Sequence, residues 1–180
     1  MQASSSSRRA FTLLELMTVI AIIFILVTLL VGSYASLRGR AEKGSCVSNL
    51  LNLYSGASSY VQDQGHWPQV ETRMLQGGHT QQYGMEWVKA LSPYGVSRQN
   101  WVCPTVQRAM GNPDLGIDHN VRTDYNATPF DAKPRTAYNW ATQPWFVEHA
   151  SEHEGGPLLI YANGQVMSVS NALLRSSWGN

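Results

Sequence analysis

Hydrophobic and polar positions divide this chain into sharply different stretches. Leu16 to Leu37 is a run of 22 residues without a formal charge, among them Val19-Ile20-Ala21-Ile22-Ile23-Phe24-Ile25-Leu26-Val27. As a helix rising about 1.5 Å per residue it is roughly 33 Å long, enough to cross a hydrocarbon core of about 30 Å. Beyond it, Val47, Leu50, Leu51, Tyr54, Ala57, Tyr60 and Val61 recur at helical spacing on one face. Arg38, Arg40, Glu42, Lys43, Asn52, Gln62 and Asp63 lie mostly elsewhere. The pattern predicts one helix of about 50 residues, apolar all round in its first half and amphipathic over 38–64. Gly39, Gly44 and Gly56 each weaken it a little, and Gly65 with Pro68 stops it.

The last third carries a different period. Leu158–Ala162 and Gln165–Val169 flank Asn163-Gly164, which predicts a β-hairpin, with Asn-Gly supplying the positive φ that a type I′ turn demands. Asn171 is then placed to cap a short last helix, Ala172 to Arg175. Between about residues 70 and 153 the pattern reads mainly as loops, with a helix at Met85–Leu91 and weak extended pieces.

Composition adds that about 140 residues follow the apolar half, enough for one small domain. The net charge is +1 with no basic stripe, so nucleic acid is not indicated as a partner. Charged residues make up only 14% while Trp, Tyr, Asn, Gln and Gly are plentiful, which suits a loop-rich, aromatic-stapled exported domain.

A single carboxylate interrupts the entrance of the apolar run. The segment reads Arg8-Arg9-Ala10-Phe11-Thr12-Leu13-Leu14-Glu15-Leu16-Met17 after a short Ser-rich leader. A charge costs about 2.5–3.5 kcal/mol at mid-bilayer and less near an interface, so Glu15 needs a reason. The segment resembles the N-terminus of the type IV pilin and type II secretion pseudopilin family. There a prepilin peptidase cuts before a phenylalanine, here Phe11, and a glutamate is fifth in the mature chain, here Glu15. The family methylates the new amine and pairs it with the glutamate of a neighbouring subunit. Two departures stand out. Ala10 occupies the position before the cut where Gly is usual, which should slow cleavage or narrow the peptidases that accept it. No proline precedes Pro68, and Gly32 lies near the usual helix kink.

The resemblance implies an α+β, pilin-like fold: a long N-terminal helix, transmembrane in one half and amphipathic in the other, packed on a small loop-rich head with a C-terminal antiparallel hairpin or sheet. The expected divisions are a removable leader over 1–10, a membrane and filament-core half over 11–37, an amphipathic half over 38–66 and a head over 67–180. Processing and methylation then fall on Ala10 and Phe11, and assembly on Phe11 and Glu15. The implied partners are a prepilin peptidase, other pilin or pseudopilin subunits, an inner-membrane assembly platform and the lipid bilayer. The implied location is a bacterial inner membrane, single-pass, with the head in the periplasm and later in a periplasmic or surface filament. His153-Glu154-Gly155-Gly156 before the hairpin, Cys103-Pro104 and Asp63-Gln64-Gly65-His66-Trp67-Pro68 look similar to pseudopilin-like proteins of planctomycete and verrucomicrobial type.

In such an oxidising compartment Cys46 and Cys103 are expected to form a disulfide, with two buried free thiols as the alternative. At 57 residues apart they do not read as a metal site.

Competing readings of the N-terminus are a secretory signal cut near Ser33-Tyr34-Ala35, a twin-arginine signal at Arg8-Arg9, and a plain membrane anchor. Against the two export signals, the run is longer than the usual h-region of 7–15 residues and Glu15 would disrupt it, and a plain anchor has no use for that carboxylate. An exported soluble binding protein or hydrolase, addressed by residues 1–35, is therefore the second functional class beside a non-enzymatic structural subunit. His149-Ala150-Ser151-Glu152-His153 fits H-x-x-E-H, but Gly155-Gly156-Pro157 ends any helix at once and no acid stands well downstream as a third zinc ligand. Asp114, Asp118 and Asp124 in a Gly/Asn-rich stretch are weak calcium candidates without EF-hand spacing, and no other cofactor is indicated. Asn126-Ala127-Thr128 is a formal glycosylation acceptor, and the six Trp residues suggest either core packing or a sugar platform.

Overall fold

The computed structural model describes residues 12–76, 80–110, 122–134, 136–140, 142–149, 153 and 155–177. The chain divides into two compact units, Met1–Arg38 and Gly39–Asn180.

Helix α1 runs over Leu13–Gln64, 52 residues. In the first unit its apolar side chains, Leu13 through Leu37, face outward with Phe24 and Leu13 about three-quarters exposed. The segment has a mean hydropathy of 2.8 over its most apolar 18 residues and is by length and composition able to cross a membrane.

In the second unit the same helix becomes one wall of the core. Cys46, Leu50, Leu53, Ala57 and Val61 are buried, and Val47, Tyr54 and Tyr60 pack partly against them. Steps of three and four keep these within one stripe of a helix that turns about 100° per residue. Leu53 belongs to this face and Leu51 does not: Leu51 stands about 100° round from Leu50 and is 43% exposed. Gly56 lies on the buried side too, where its hydrogen takes the place of a Cβ that would run into the Val96 side chain. The helix ends at Gly65, which adopts φ 78° and donates its N–H to the Val61 carbonyl at 2.9 Å, a glycine C-terminal stop.

The stretch expected to be mostly loop holds more regular structure. Short α2 covers Arg73–Gln76 and α3 covers Thr80–Leu91. Tyr83, Trp87 and Leu91, four apart, bury one face of α3. Two 3-10 turns follow at Ser92–Tyr94 and Arg98–Trp101, the second opened by a Ser97–Asn100 capping box. Then come α4, Pro104–Ala109, with Pro104 at its first turn, and α5, Thr136–Asn139. The helix expected at Met85–Leu91 is the second part of α3, while periodicity missed α2, α4 and α5 because each is only a turn or two long.

Four strands form an antiparallel meander: β1 Tyr125–Ala127, β2 Pro144–Glu148, β3 Leu158–Tyr161 and β4 Val166–Ser168, in that spatial order. The hairpin is therefore half of a larger sheet. Its connection is a three-residue loop, not the two-residue type I′ turn expected. Gly164 N–H donates to the Tyr161 carbonyl and Tyr161 N–H to the Gln165 carbonyl, and Gly164 takes the positive φ of 76°. Asn163 contributes its side chain, accepting the Gln165 N–H at 2.9 Å. Helix α6, Val169–Ser177, starts directly after β4, so Asn171 sits inside it and caps nothing. The cost of a residue turning straight from strand to helix is offset by the Val169 N–H donating to the Pro157 carbonyl.

Register puts Tyr125 opposite Glu148, Ala127 opposite Phe146, Phe146 opposite Ile160 and Leu158 opposite Ser168. An irregularity between Pro144 and Phe146 lets both Trp145 and Phe146 be buried. The core is aromatic: Trp67 lies 4.8 Å from Trp145, 5.7 Å from Trp87 and 5.2 Å from Phe130 between ring centres.

Candidate functional site

Two places gather chemistry: the start of α1 and a buried cluster at its amphipathic half.

At the start of α1 the residues Thr12-Leu13-Leu14-Glu15 form a capping box. Glu15 N–H donates to Thr12 Oγ1 at 3.3 Å, and Thr12 N–H donates back to Glu15 Oε2 at 2.9 Å, with the Thr12 hydroxyl on the same oxygen at 3.1 Å. The carboxylate thus satisfies helix donors that lack partners in the first turn, and its charge complements the positive end of the helix dipole. Sequence reasoning assigned Glu15 to an amine and overlooked this role, although T-x-x-E before an apolar run is its signature. Ala10 and Phe11 lie outside the described residues. Thr18 Oγ1 and Thr28 Oγ1 turn back to the Glu15 and Ile25 carbonyls, which hides both hydroxyls within the apolar segment.

In the second unit Cys46 of α1 and Cys103, just before α4, are joined by a disulfide with Cα atoms 5.3 Å apart. Both residues are fully buried. The sequence separates them by 57 positions and offers no reason to look for companions, yet the fold adds two. His153 Nε2 lies 3.5 Å from Cys103 Sγ and 3.1 Å from Glu148 Oε1. Glu148 is 2% exposed and His153 is 7%. Glu148 is two residues on from Phe146 on the core side of β2, a slot the strand's period reserves for an apolar side chain. Its other oxygen, Oε2, accepts the Leu158 N–H at 3.0 Å. Burial pushes the Glu148 carboxyl up, opposed by the Leu158 N–H and by His153. Only knowledge of the strand could have exposed this glutamate as misplaced.

A neighbouring ion pair ties the same region together. Asp124, at the entrance of β1, accepts from Arg122 Nε at 2.7 Å and Nη2 at 2.8 Å, and from the Cys103 N–H at 2.8 Å. Both carboxylate oxygens thus accept hydrogen bonds. Asp114 and Asp118 lie outside the described residues. Buried Tyr125, held next to Asn49 at 3.5 Å, has its phenol pushed up, first by burial.

The H-x-x-E-H histidines part company. His149 is at the end of β2 and its Nε2 lies 2.7 Å from Asn126 Nδ2, while His153 points into the disulfide cluster and Glu152 lies outside the described residues. Asn126 of the formal glycosylation motif is engaged in β1 by that contact. Trp67, Trp87, Trp101 and Trp145 are core residues, and Trp140 is the exposed one among the described tryptophans. They form no surface platform.

Among the comparisons with known proteins, the family match bears on the first of the two places. The family described as "Prokaryotic N-terminal methylation motif" matches residues 5–31. The type II secretion system core protein G of Escherichia coli K12 is 35% identical over 65 residues, 36% of this chain and 45% of that protein. The protein of that description from Pectobacterium carotovorum is 34% identical over 68 residues, 38% of this chain and 44% of its own, and that from Klebsiella michiganensis is 37% identical over 65, 36% and 46%. The chain therefore matches less than half the length of these curated relatives. No solved structure matches the chain at a significant level. With a methylation motif over the entrance of an unburied apolar helix, partial likeness to type II secretion system core protein G and a helix-plus-antiparallel-sheet architecture, the chain resembles the type IV pilin and type II secretion pseudopilin family.

Proposed function

We propose that this protein is a non-enzymatic structural subunit of a type IV pilus-like filament, a type II secretion pseudopilin. The observation that carries this reading is the start of α1: the methylation motif overlies a capped, 52-residue helix whose first unit leaves its apolar side chains outside. Those side chains must be covered by lipid before assembly and by other subunits after it. Exchanging one apolar surrounding for another gives little net hydrophobic gain, so packing and charge pairing must set the register. A prepilin peptidase would hydrolyse the Ala10–Phe11 bond and free a positively charged amine at Phe11. Glu15 would pair with that amine on the neighbouring subunit, neutralising two charges that are each costly in an apolar surrounding. The subunit would wait as a single-pass protein of the bacterial inner membrane with its head in the periplasm, and an inner-membrane assembly platform would draw it into the filament. The role requires no cofactor.

The experiment is to purify the protein from native membranes and determine its N-terminus and intact mass. A chain starting at Phe11 and heavier by one methyl group is expected. A start near Ser36 would sink the reading and favour an exported soluble protein, and an uncut Met1 would leave a plain anchor.

A further inference from the structure

The disulfide explains two of the four groups in the buried cluster. Glu148 and His153 are titratable, almost fully buried and set against the bridge, and the staple needs neither of them. A carboxylate and an imidazole withdrawn from water into an apolar core cost several kcal/mol unless something there uses them. Sγ of Cys46, Sγ of Cys103, a Glu148 oxygen and a His153 ring nitrogen all lie within 4.8 Å of one another.

We propose that the thiol form of this chain binds one zinc ion in this cluster, through Cys46 Sγ, Cys103 Sγ, His153 Nε2 and Glu148 Oε1. The edge lengths carry the argument. With zinc–sulfur bonds of about 2.3 Å and zinc–nitrogen or zinc–oxygen bonds of about 2.0–2.1 Å, a tetrahedral site has S···N edges of about 3.6 Å and N···O edges of about 3.3 Å. The corresponding separations are 3.5 Å for Cys103 Sγ to His153 Nε2 and 3.1 Å for His153 Nε2 to Glu148 Oε1. Two of the polyhedron's edges are therefore already in place in the bridged chain. The sulfur–sulfur separation must open to about 3.8 Å once the bond between them is absent, and the remaining edges start from separations within 4.8 Å. Cys₂HisGlu supplies four protein ligands from four separate segments, the number that fills a closed tetrahedral zinc site. The Leu158 N–H on Glu148 Oε2 would hold the carboxylate so that Oε1 faces the ion.

Bridge and ion are mutually exclusive uses of the same sulfurs. Each thiol gives up its proton as its zinc–sulfur bond forms, so binding releases two protons per ion. Either form fastens α1 to the segment before α4, the bridge under oxidising conditions and the ion while the chain is still a dithiol. The inference rests on local geometry and stands whether or not the chain assembles into filaments.

The test uses the full chain in detergent micelles. A phosphine reduces the bridge under anaerobic conditions, one phosphine and one water giving two thiols and the phosphine oxide. Cobalt(II) is then titrated as a spectroscopic probe and displaced with zinc. One ion per thiol chain is expected, with tetrahedral visible bands and thiolate charge transfer, and none in the bridged chain. His153→Ala and Glu148→Gln should each weaken binding by at least about tenfold while Cys46→Ser abolishes the charge-transfer pattern. No ion taken up by the reduced chain, or equal affinity in the His153 and Glu148 variants, would overturn the proposal. Should a variant fail to fold by circular dichroism, zinc X-ray absorption on the unmutated thiol chain decides. A shell of two sulfurs and two nitrogen or oxygen donors supports the site, and any other sulfur count overturns it.

Discussion

Glu15 performs two tasks that substitution can separate. Its carboxylate accepts the Thr12 N–H as half of a capping box, and its charge is the group proposed to meet the Phe11 amine of a neighbour. Glutamine keeps an oxygen for the cap and loses the charge. Glu15→Gln is therefore expected to leave membrane insertion and helix content unchanged while filament assembly, scored by pelleting or electron microscopy, falls as far as in Glu15→Ala. Normal assembly by the Gln variant would assign Glu15 to capping alone. Asp63 offers a second residue-scale test, on pH. Its carboxylate accepts the Tyr94 hydroxyl at 2.6 Å and Gln64 Nε2 at 2.7 Å, and the Tyr94 bond in particular holds its pKa below the ordinary value. For a carboxyl lowered on folding, the added stability is complete above the ordinary pKa and disappears as pH falls through the folded one. Urea midpoints should drop on acidification from neutral to about pH 3, and Asp63→Asn should flatten part of that limb. An unchanged acid limb in Asp63→Asn would remove Asp63 from the account.

At the scale of elements, α1 is fastened to the head by contacts that leave room for nothing larger. Gly56 faces the Val96 side chain so closely that an added methyl must displace it. Alanine raises helix propensity by up to about 1 kcal/mol at such a position, whereas overpacking a core costs about 1–3 kcal/mol. Gly56→Ala is accordingly expected to lower the melting temperature despite the better helix former, and a rise would mean that Val96 moves freely. The hairpin loop meets the same helix. Tyr54 donates its hydroxyl to the Ala162 carbonyl at 3.0 Å, and its ring lies 3.3 Å from where a Gly164 Cβ would stand. With φ at 76° already unfavourable for a side chain, Gly164→Ala should cost about 1 kcal/mol or more, read as a lower urea midpoint. Asn-Gly announced this turn from the sequence. Its three-residue form came from the register between Tyr161 and Gln165, which depends on how β3 and β4 pair within the sheet.

For the whole molecule, the disulfide closes a 57-residue separation and fastens α1 to the segment leading into α4. The loop-entropy relation gives about 4 kcal/mol for a closure of that size. Replacing both cysteines with alanine should lower the unfolding free energy of the second unit by about 2–4 kcal/mol in denaturant titration, and no loss would show that the aromatic core suffices. The long helix, its apolar and amphipathic halves, its stop at Gly65, the hairpin and the N-terminal motif were all legible in the chain, because each is written in neighbours one to four residues apart. Such signals survive without tertiary context. Leu53 in the core and Leu51 outside it, the start of α3, the short helix α4, and strands β1 and β2 were not legible, since packing against distant residues selects them. The same holds for the cluster. Cys46, Cys103, Glu148 and His153 are spread over more than a hundred positions, and no local period links them. The sequence by itself determined the membrane-length helix and how it begins, through hydrophobic run length and a four-residue cap. Only the tertiary structure decided which polar groups share the interior, because burial of a carboxylate and an imidazole beside two sulfurs is a property of the closed fold and of no segment within it.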